Sequence, residues 1–197
     1  MTRLVVLASG SGTNLQAILD ACADGTLPAR VAAVVSNKPG SGALQRAADA
    51  GVPFVHAAPH PGEPRSDYDA RLADIVSGFD PDWVVLAGWM RILSMSFLGW
   101  FPGMVVNLHP ALPGELPGVD SIARAWNEAR DGRRDHTGVM VHLVPDEGVD
   151  VGPVLATATV SIHPSDTLEG LTERVHGVEH RLLVETITTL CTTGANA

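Results

Sequence analysis

Leu4-Val5-Val6-Leu7-Ala8-Ser9-Gly10-Ser11-Gly12-Thr13-Asn14-Leu15-Gln16-Ala17-Ile18-Leu19 is the stretch on which the fold turns. Its first five residues are apolar without alternation, as in a strand covered on both faces, and such strands belong to parallel sheets. Two glycines and small polar residues follow, and then a run of helix formers. A buried strand, a tight glycine turn and a helix make the first half of a βαβ unit. Glycines in that turn let the backbone approach an anion, and the unpaired N–H groups of the first helical turn point at it. Leu15 stands where the third glycine of the dinucleotide fingerprint belongs, and the lysine of a nucleoside-triphosphate loop is missing. A single monophosphate fits best; a strand-to-helix turn that binds nothing is the alternative.

Outward from this unit the pattern repeats. Apolar runs at Val31–Val35, Pro53–His56, Trp83–Ala87 and Val105–Leu108 alternate with helical stretches at Asn14–Ala23, Gly42–Ala50 and Tyr68–Ser77. The carboxyl half differs. Thr137–Val144 and Val154–Val160 are joined only by Pro145–Pro153, too short for a crossover helix, so this pair is expected to be antiparallel. A last helix is expected over Asp166–Leu190, with Ser165 or Asp166 as its cap and Glu169 as capping-box partner. The expected class is α/β: one doubly wound domain over residues 1–190, a mostly parallel sheet with an antiparallel pair in its carboxyl half, and a tail over 191–197.

Composition narrows the function. The chain has 197 residues, 45% of them hydrophobic, enough for a full core. A formal charge of −9 and a single lysine, Lys38, argue against a nucleic-acid surface. The apolar run after Met1-Thr2-Arg3 is too short for a signal peptide, and no stretch approaches a membrane span, so a cytoplasmic protein without a membrane partner is expected. Cys22 and Cys191 are far apart and lack metal-type spacing.

Three further segments carry chemistry. In Val105-Val106-Asn107-Leu108-His109-Pro110 an amide and an imidazole lie two residues apart, hence on one face of a strand that Pro110 ends. An amide N–H can donate to a developing oxyanion while the imidazole carries a proton, which suits acyl chemistry; a capped strand end with a satisfied histidine is the bland reading. Gly88-Trp89-Met90-Arg91-Ile92-Leu93 follows a buried strand and could hold a flat heterocycle between its backbone and Met90, Ile92 and Leu93. Taken singly, its apolar residues read more simply as core, and Arg91 does not fit a core. In the loop Pro145–Pro153, Asp146 and Glu147 read as solvated acids. Asp150, between Val149 and Val151, would need a partner if turned inward; beside His109 it would favour the imidazolium and raise the histidine's pKa. His109, His136, His142 and Asp150 are all metal-ligand types, yet no compact His-x-x-x-His pair or thiolate accompanies them, so no metal is expected.

Taken together, Ser9–Ala17, Val85–Leu93, Asn107–Pro110 and Asp146–Pro153 resemble the folate-dependent formyltransferase family, and within it the phosphoribosylglycinamide formyltransferases (glycinamide ribonucleotide transformylases), in order from residue 1 to about 190. The resemblance implies a Rossmann-like fold and transfer of a formyl group from 10-formyltetrahydrofolate to the amine of glycinamide ribonucleotide, a step of purine biosynthesis. It implies Gly12, Thr13 and Asn14 at the phosphate, Glu179 at the ribose, and Arg65, Met90, Arg91, Ile92 and Leu93 at the folate, with Arg65 in the loop before Tyr68. Asn107, His109 and Asp150 would be the catalytic three, with Asn107 also facing the folate and His109 protonated. The implied partners are small molecules, with a homodimer left open. A formyltetrahydrofolate hydrolase, a formyltransferase acting on another amine and an anion-binding α/β module remain as alternatives.

Overall fold

A computed structural model describes residues 1–193, and among them seven strands form one sheet. In chain order the elements are β1 (Thr2–Leu7), α1 (Thr13–Asp24), β2 (Ala29–Ser36), α2 (Gly42–Asp49), β3 (Phe54–His56), α3 (Arg65–Ser77) and β4 (Trp83–Leu86). Then come α4 (Met95–Leu98), β5 (Val105–His109), α5 (Ser121–Arg130), β6 (His136–Leu143), β7 (Val154–Ser161) and α6 (Leu168–Thr193). The sheet order is β3-β2-β1-β4-β5-β6-β7. The first five in that order run parallel; β6 is antiparallel to both β5 and β7. The expected class therefore holds, with antiparallel pairing extending to the β5–β6 contact.

Strand periodicity sorts the core into two layers. Leu4 and Val6 face a layer built with Leu15 and Ile18 of α1, Ala43 of α2, Ala125 of α5 and Leu171, Leu183 and Ile187 of α6. Val5 and Leu7 face the opposite layer, with Tyr68 and Leu72 of α3 and Phe97 of α4. Helices on both faces explain why Leu4–Leu7 of β1 are apolar without alternation.

Sequence reasoning left out α4 and α5. The first is a single turn, too short to show a period, but α5 carries Ile122, Ala125, Trp126 and Ala129 at helical spacing, and all four pack against the core. The start of α6 also differs. Thr167 caps it, its hydroxyl accepting the Gly170 N–H at 3.1 Å, while Asp166 is spent on Arg174 and on the His163 N–H. At the other end Cys191–Thr193, expected as tail, are helical, and Cys191 is buried in the core; residues 194–197 lie outside the described part.

Candidate active site

Chain order reverses direction across the sheet between β1 and β4, and the loops leaving the carboxyl ends of these two strands lie side by side at the edge where open α/β sheets bind ligands. The loop after β1 enters α1 through Gly12, which sits in the left-handed region at φ 74° and offers no side-chain cap. With no acidic residue in its first turn, α1 presents free N–H groups to an anion. A Cβ on Gly12 would lie 2.7 Å from the Ala43 Cα of α2, so a side chain there meets backbone. For the phosphate site that the resemblance implies at this loop, Gly12→Val should raise the nucleotide KM about tenfold or more through loop strain, and it should also lower the melting temperature. Calorimetric titration should find the folate affinity nearly unchanged; equal weakening of both ligands would refute the assignment of this loop.

Ser9 joins this loop to the one after β4. Its buried hydroxyl donates to Asn37 Oδ1 at 2.7 Å and accepts the Met90 N–H at 2.9 Å, while its own N–H donates to Gly88 O. The two loops thus share one root. Sequence reasoning quoted Ser9 only as part of the loop and passed over Asn37; the partners that give both a role lie far away in the chain.

Glu179 reaches this end of the sheet from α6. Asn14 Nδ2 donates to its Oε2 at 3.4 Å, bringing together two residues 165 positions apart that were expected in one site. Burial pushes the Glu179 carboxyl from its ordinary 4.5 up to about 7, with the Asn14 bond acting in the opposite direction. An acid whose folded pKa is raised favours the fold while protonated. That stability is full below about pH 4.5 and is lost as pH rises through about 7. Wild type should thus lose up to roughly 3 kcal/mol over this window relative to Glu179→Gln. Denaturant melts of the two proteins at several pH values check this; parallel curves would refute it.

The expected catalytic residues come together in one buried cluster. Asn107 and His109 lie on the same face of β5, and Asp150 turns in from the β6–β7 loop with φ 56°, a left-handed conformation that aspartate tolerates better than most residues. Asp150 Oδ2 accepts the Gly118 N–H at 2.8 Å and lies 3.3 Å from His109 Nδ1. Its Oδ1 accepts from Asn107 Nδ2 at 3.2 Å. Burial would raise the Asp150 pKa, but His142, the Gly118 N–H and His109 hold it below the ordinary value.

Three features depart from expectation. Burial drives the His109 imidazole below its ordinary 6.5, outweighing the upward pull of Asp150 and of the Glu115 and Leu116 backbone. The upward pull expected of Asp150 is present but outweighed, so burial favours the neutral ring, with Nδ1 toward Asp150 and Nε2 buried without a hydrogen-bond partner among the described residues. His142, weighed from sequence only as a metal ligand, belongs to the cluster. It pairs with Asn107 across β5 and β6, donates from Nδ1 to Leu143 O at 2.8 Å, and receives Asn107 Nδ2 at Nε2, 3.1 Å away. Both Asn107 amide hydrogens are thus engaged by Asp150 and His142. Lastly, Glu147 is not merely solvated: it forms an ion pair with Arg65 and accepts the Met95 N–H at 3.3 Å.

On the β4 side, Met90 and Ile92 are exposed, whereas Leu93 packs into the core with Trp89. The Arg91 guanidinium lies 4.8 Å above the centre of the Tyr68 ring. Asp69, fully buried, anchors the end of this loop by accepting the Ser94 N–H at 2.6 Å. Arg65 is the first residue of α3 rather than part of a preceding loop. Among the described residues no three His, Cys, Asp or Glu side chains converge as a metal site, and no helix is long and apolar enough to cross a membrane.

The formyl transferase family profile matches residues 2–187 of this chain. A phosphoribosylglycinamide formyltransferase of Schizosaccharomyces pombe is 43% identical over 196 residues, covering 93% of this chain and 94% of the relative. One from Escherichia coli is 39% identical over 179 residues, covering 91% and 82%. The crystal structure of glycinamide ribonucleotide transformylase 1 from Geobacillus kaustophilus superposes with a TM-score of 0.89 at 42% identity, over 96% of this chain and 98% of that one.

Proposed function

This chain belongs to the formyl transferase family, and from that membership and its buried cluster at the sheet's carboxyl edge we infer how it transfers a formyl group from 10-formyltetrahydrofolate to the amine of glycinamide ribonucleotide in purine biosynthesis. The observation that carries the mechanism is His109, a buried ring with Nδ1 facing Asp150 and an unpartnered Nε2.

The amine nitrogen attacks the formyl carbon, a C–N bond forms, and negative charge collects on the formyl oxygen. His109 Nε2 takes the proton that the attacking nitrogen sheds, and Asp150 stabilises the resulting imidazolium. Asn107 turns one N–H from its present partners to the oxyanion. The imidazolium then delivers its proton to the folate nitrogen as the bond from that nitrogen to the formyl carbon breaks, releasing tetrahydrofolate and the formylated amide. Protons and charge balance on these residues without a metal.

In the same reading Gly12, Thr13 and Asn14 hold the phosphate through N–H groups, and Glu179 receives a ribose hydroxyl. Met90 and Ile92 flank the pteridine, Leu93 supports their loop from the core instead of touching the ligand, and Arg65 and Arg91 supply charge for the folate's carboxylates. Small, freely diffusing co-substrates suit a cytoplasmic enzyme. The test is tetrahydrofolate release measured with and without glycinamide ribonucleotide: release only in its presence supports the reading. Equal release without the amine would make the protein a hydrolase, and release with neither would leave a binding module.

A further inference from the structure

Arg46 lies on α2, yet its side chain turns back onto the loop after β1. Nε donates to Ser11 O at 2.9 Å and Nη1 to Gln16 Oε1 at 2.9 Å. Unlike Arg65 and Arg71, which pair with Glu147 and Glu63, Arg46 has no carboxylate partner among the described residues. Its charge is therefore uncompensated, in a chain whose formal charge is −9.

The amino end of α2 is pressed against the same carbonyl. A Cβ on Gly42 would come within 2.5 Å of Ser11 O, and the Ala43 N–H donates to Gly10 O at 3.2 Å. In a trans peptide the carbonyl of one residue and the N–H of the next point to opposite sides. Holding Ser11 O toward α2 turns the Gly12 N–H away from α2, and the guanidinium offsets the one negative pole that the Ser11–Gly12 peptide would otherwise present near an arriving anion.

We propose that Arg46 is a positioning residue for the nucleotide's phosphate: it orients the Ser11–Gly12 peptide from behind and gives the loop net positive charge. The inference rests on the nucleotide reading above and adds α2 to the machinery that binds it. Arg46 acts through the backbone, so its effect is tied to the phosphate and not to the amine or the folate.

The experiment compares glycinamide ribonucleotide with its dephosphorylated form, glycinamide riboside, as acceptors for wild type, Arg46→Ala and Arg46→Lys. Arg46→Ala should raise the KM for the ribonucleotide about tenfold, the loss expected of one charge-assisted hydrogen bond. On the riboside, kcat/KM should stay close to wild type, and Arg46→Lys should recover part of the loss. Should Arg46→Ala fail to fold, Arg46→Gln, which keeps an amide donor and drops the charge, is measured in its place. Equal losses on both acceptors would make Arg46 a structural prop, and no loss on either would make it a bystander; both overturn the proposal. A wild-type protein inactive on the ribonucleotide would overturn the underlying reading as well.

Discussion

His109→Ala lowers kcat about a thousandfold, within the range for losing a positioned proton carrier, and leaves both Michaelis constants near wild type. The reason lies in the cluster: His109 Nε2 is the unpartnered ring nitrogen of the β5 pair, and no other group on β5 can take the amine's proton. Apart from Asn107, the residues assigned to ligand binding lie on other elements, so binding persists. Asp150 retains the Gly118 N–H and Asn107, so the loop keeps its anchor after the ring is removed. Single-turnover kinetics with saturating ligands isolate the chemical step, and a loss smaller than about tenfold there would exclude His109 as the proton carrier.

Asp150→Asn should reduce kcat about a hundredfold, on the scale of losing one oriented electrostatic partner, and it should move the pH–rate profile in a defined direction. His109 works as a base only when neutral, so the acid limb of kcat/KM follows its pKa, which burial holds below 6.5. Asp150 pulls that pKa up; its loss lets it fall further, and the limb moves to lower pH. Activity at pH 7 drops nonetheless, because the imidazolium formed during transfer has lost its counter-charge. In a His109→Ala background the same substitution should leave the pH profile in place. A second sign check comes from stability: the depressed Asp150 pKa contributes stability above its unfolded value that is lost as pH falls through the folded one, and Asp150→Asn removes that acid dependence. An unchanged pH–rate profile in a folded Asp150→Asn protein would dissolve the proposed pairing.

The class of fold was legible because it depends on local pattern. The unbroken apolarity of Leu4–Ala8 requires cover on both faces, and the short Pro145–Pro153 link forbids a parallel crossover. Helix α5 was missed, although Ile122, Ala125, Trp126 and Ala129 repeat at the helical period. The single turn of α4 was not legible, since four residues hold too little of a period to read.

At the site, sequence by itself determined which residues can share a face. Spacing on one strand puts Asn107 with His109, and glycine spacing leaves the first turn of α1 open to an anion. Everything that depends on summing opposed, distant contributions was decided by the tertiary structure. Burial of His109 exceeds the attraction of Asp150, so the upward pull expected from the pair is present while the net pKa falls. His142 entered the cluster only once the β5–β6 register set it opposite Asn107. Glu147 looked like a solvated acid until α3 and the start of α4 brought Arg65 and the Met95 N–H to it. Periodicity is carried by bonds between neighbours in the chain and survives in one dimension. Desolvation, strand register and ion pairing depend on how closely remote segments pack, and that distance exists only in the folded molecule.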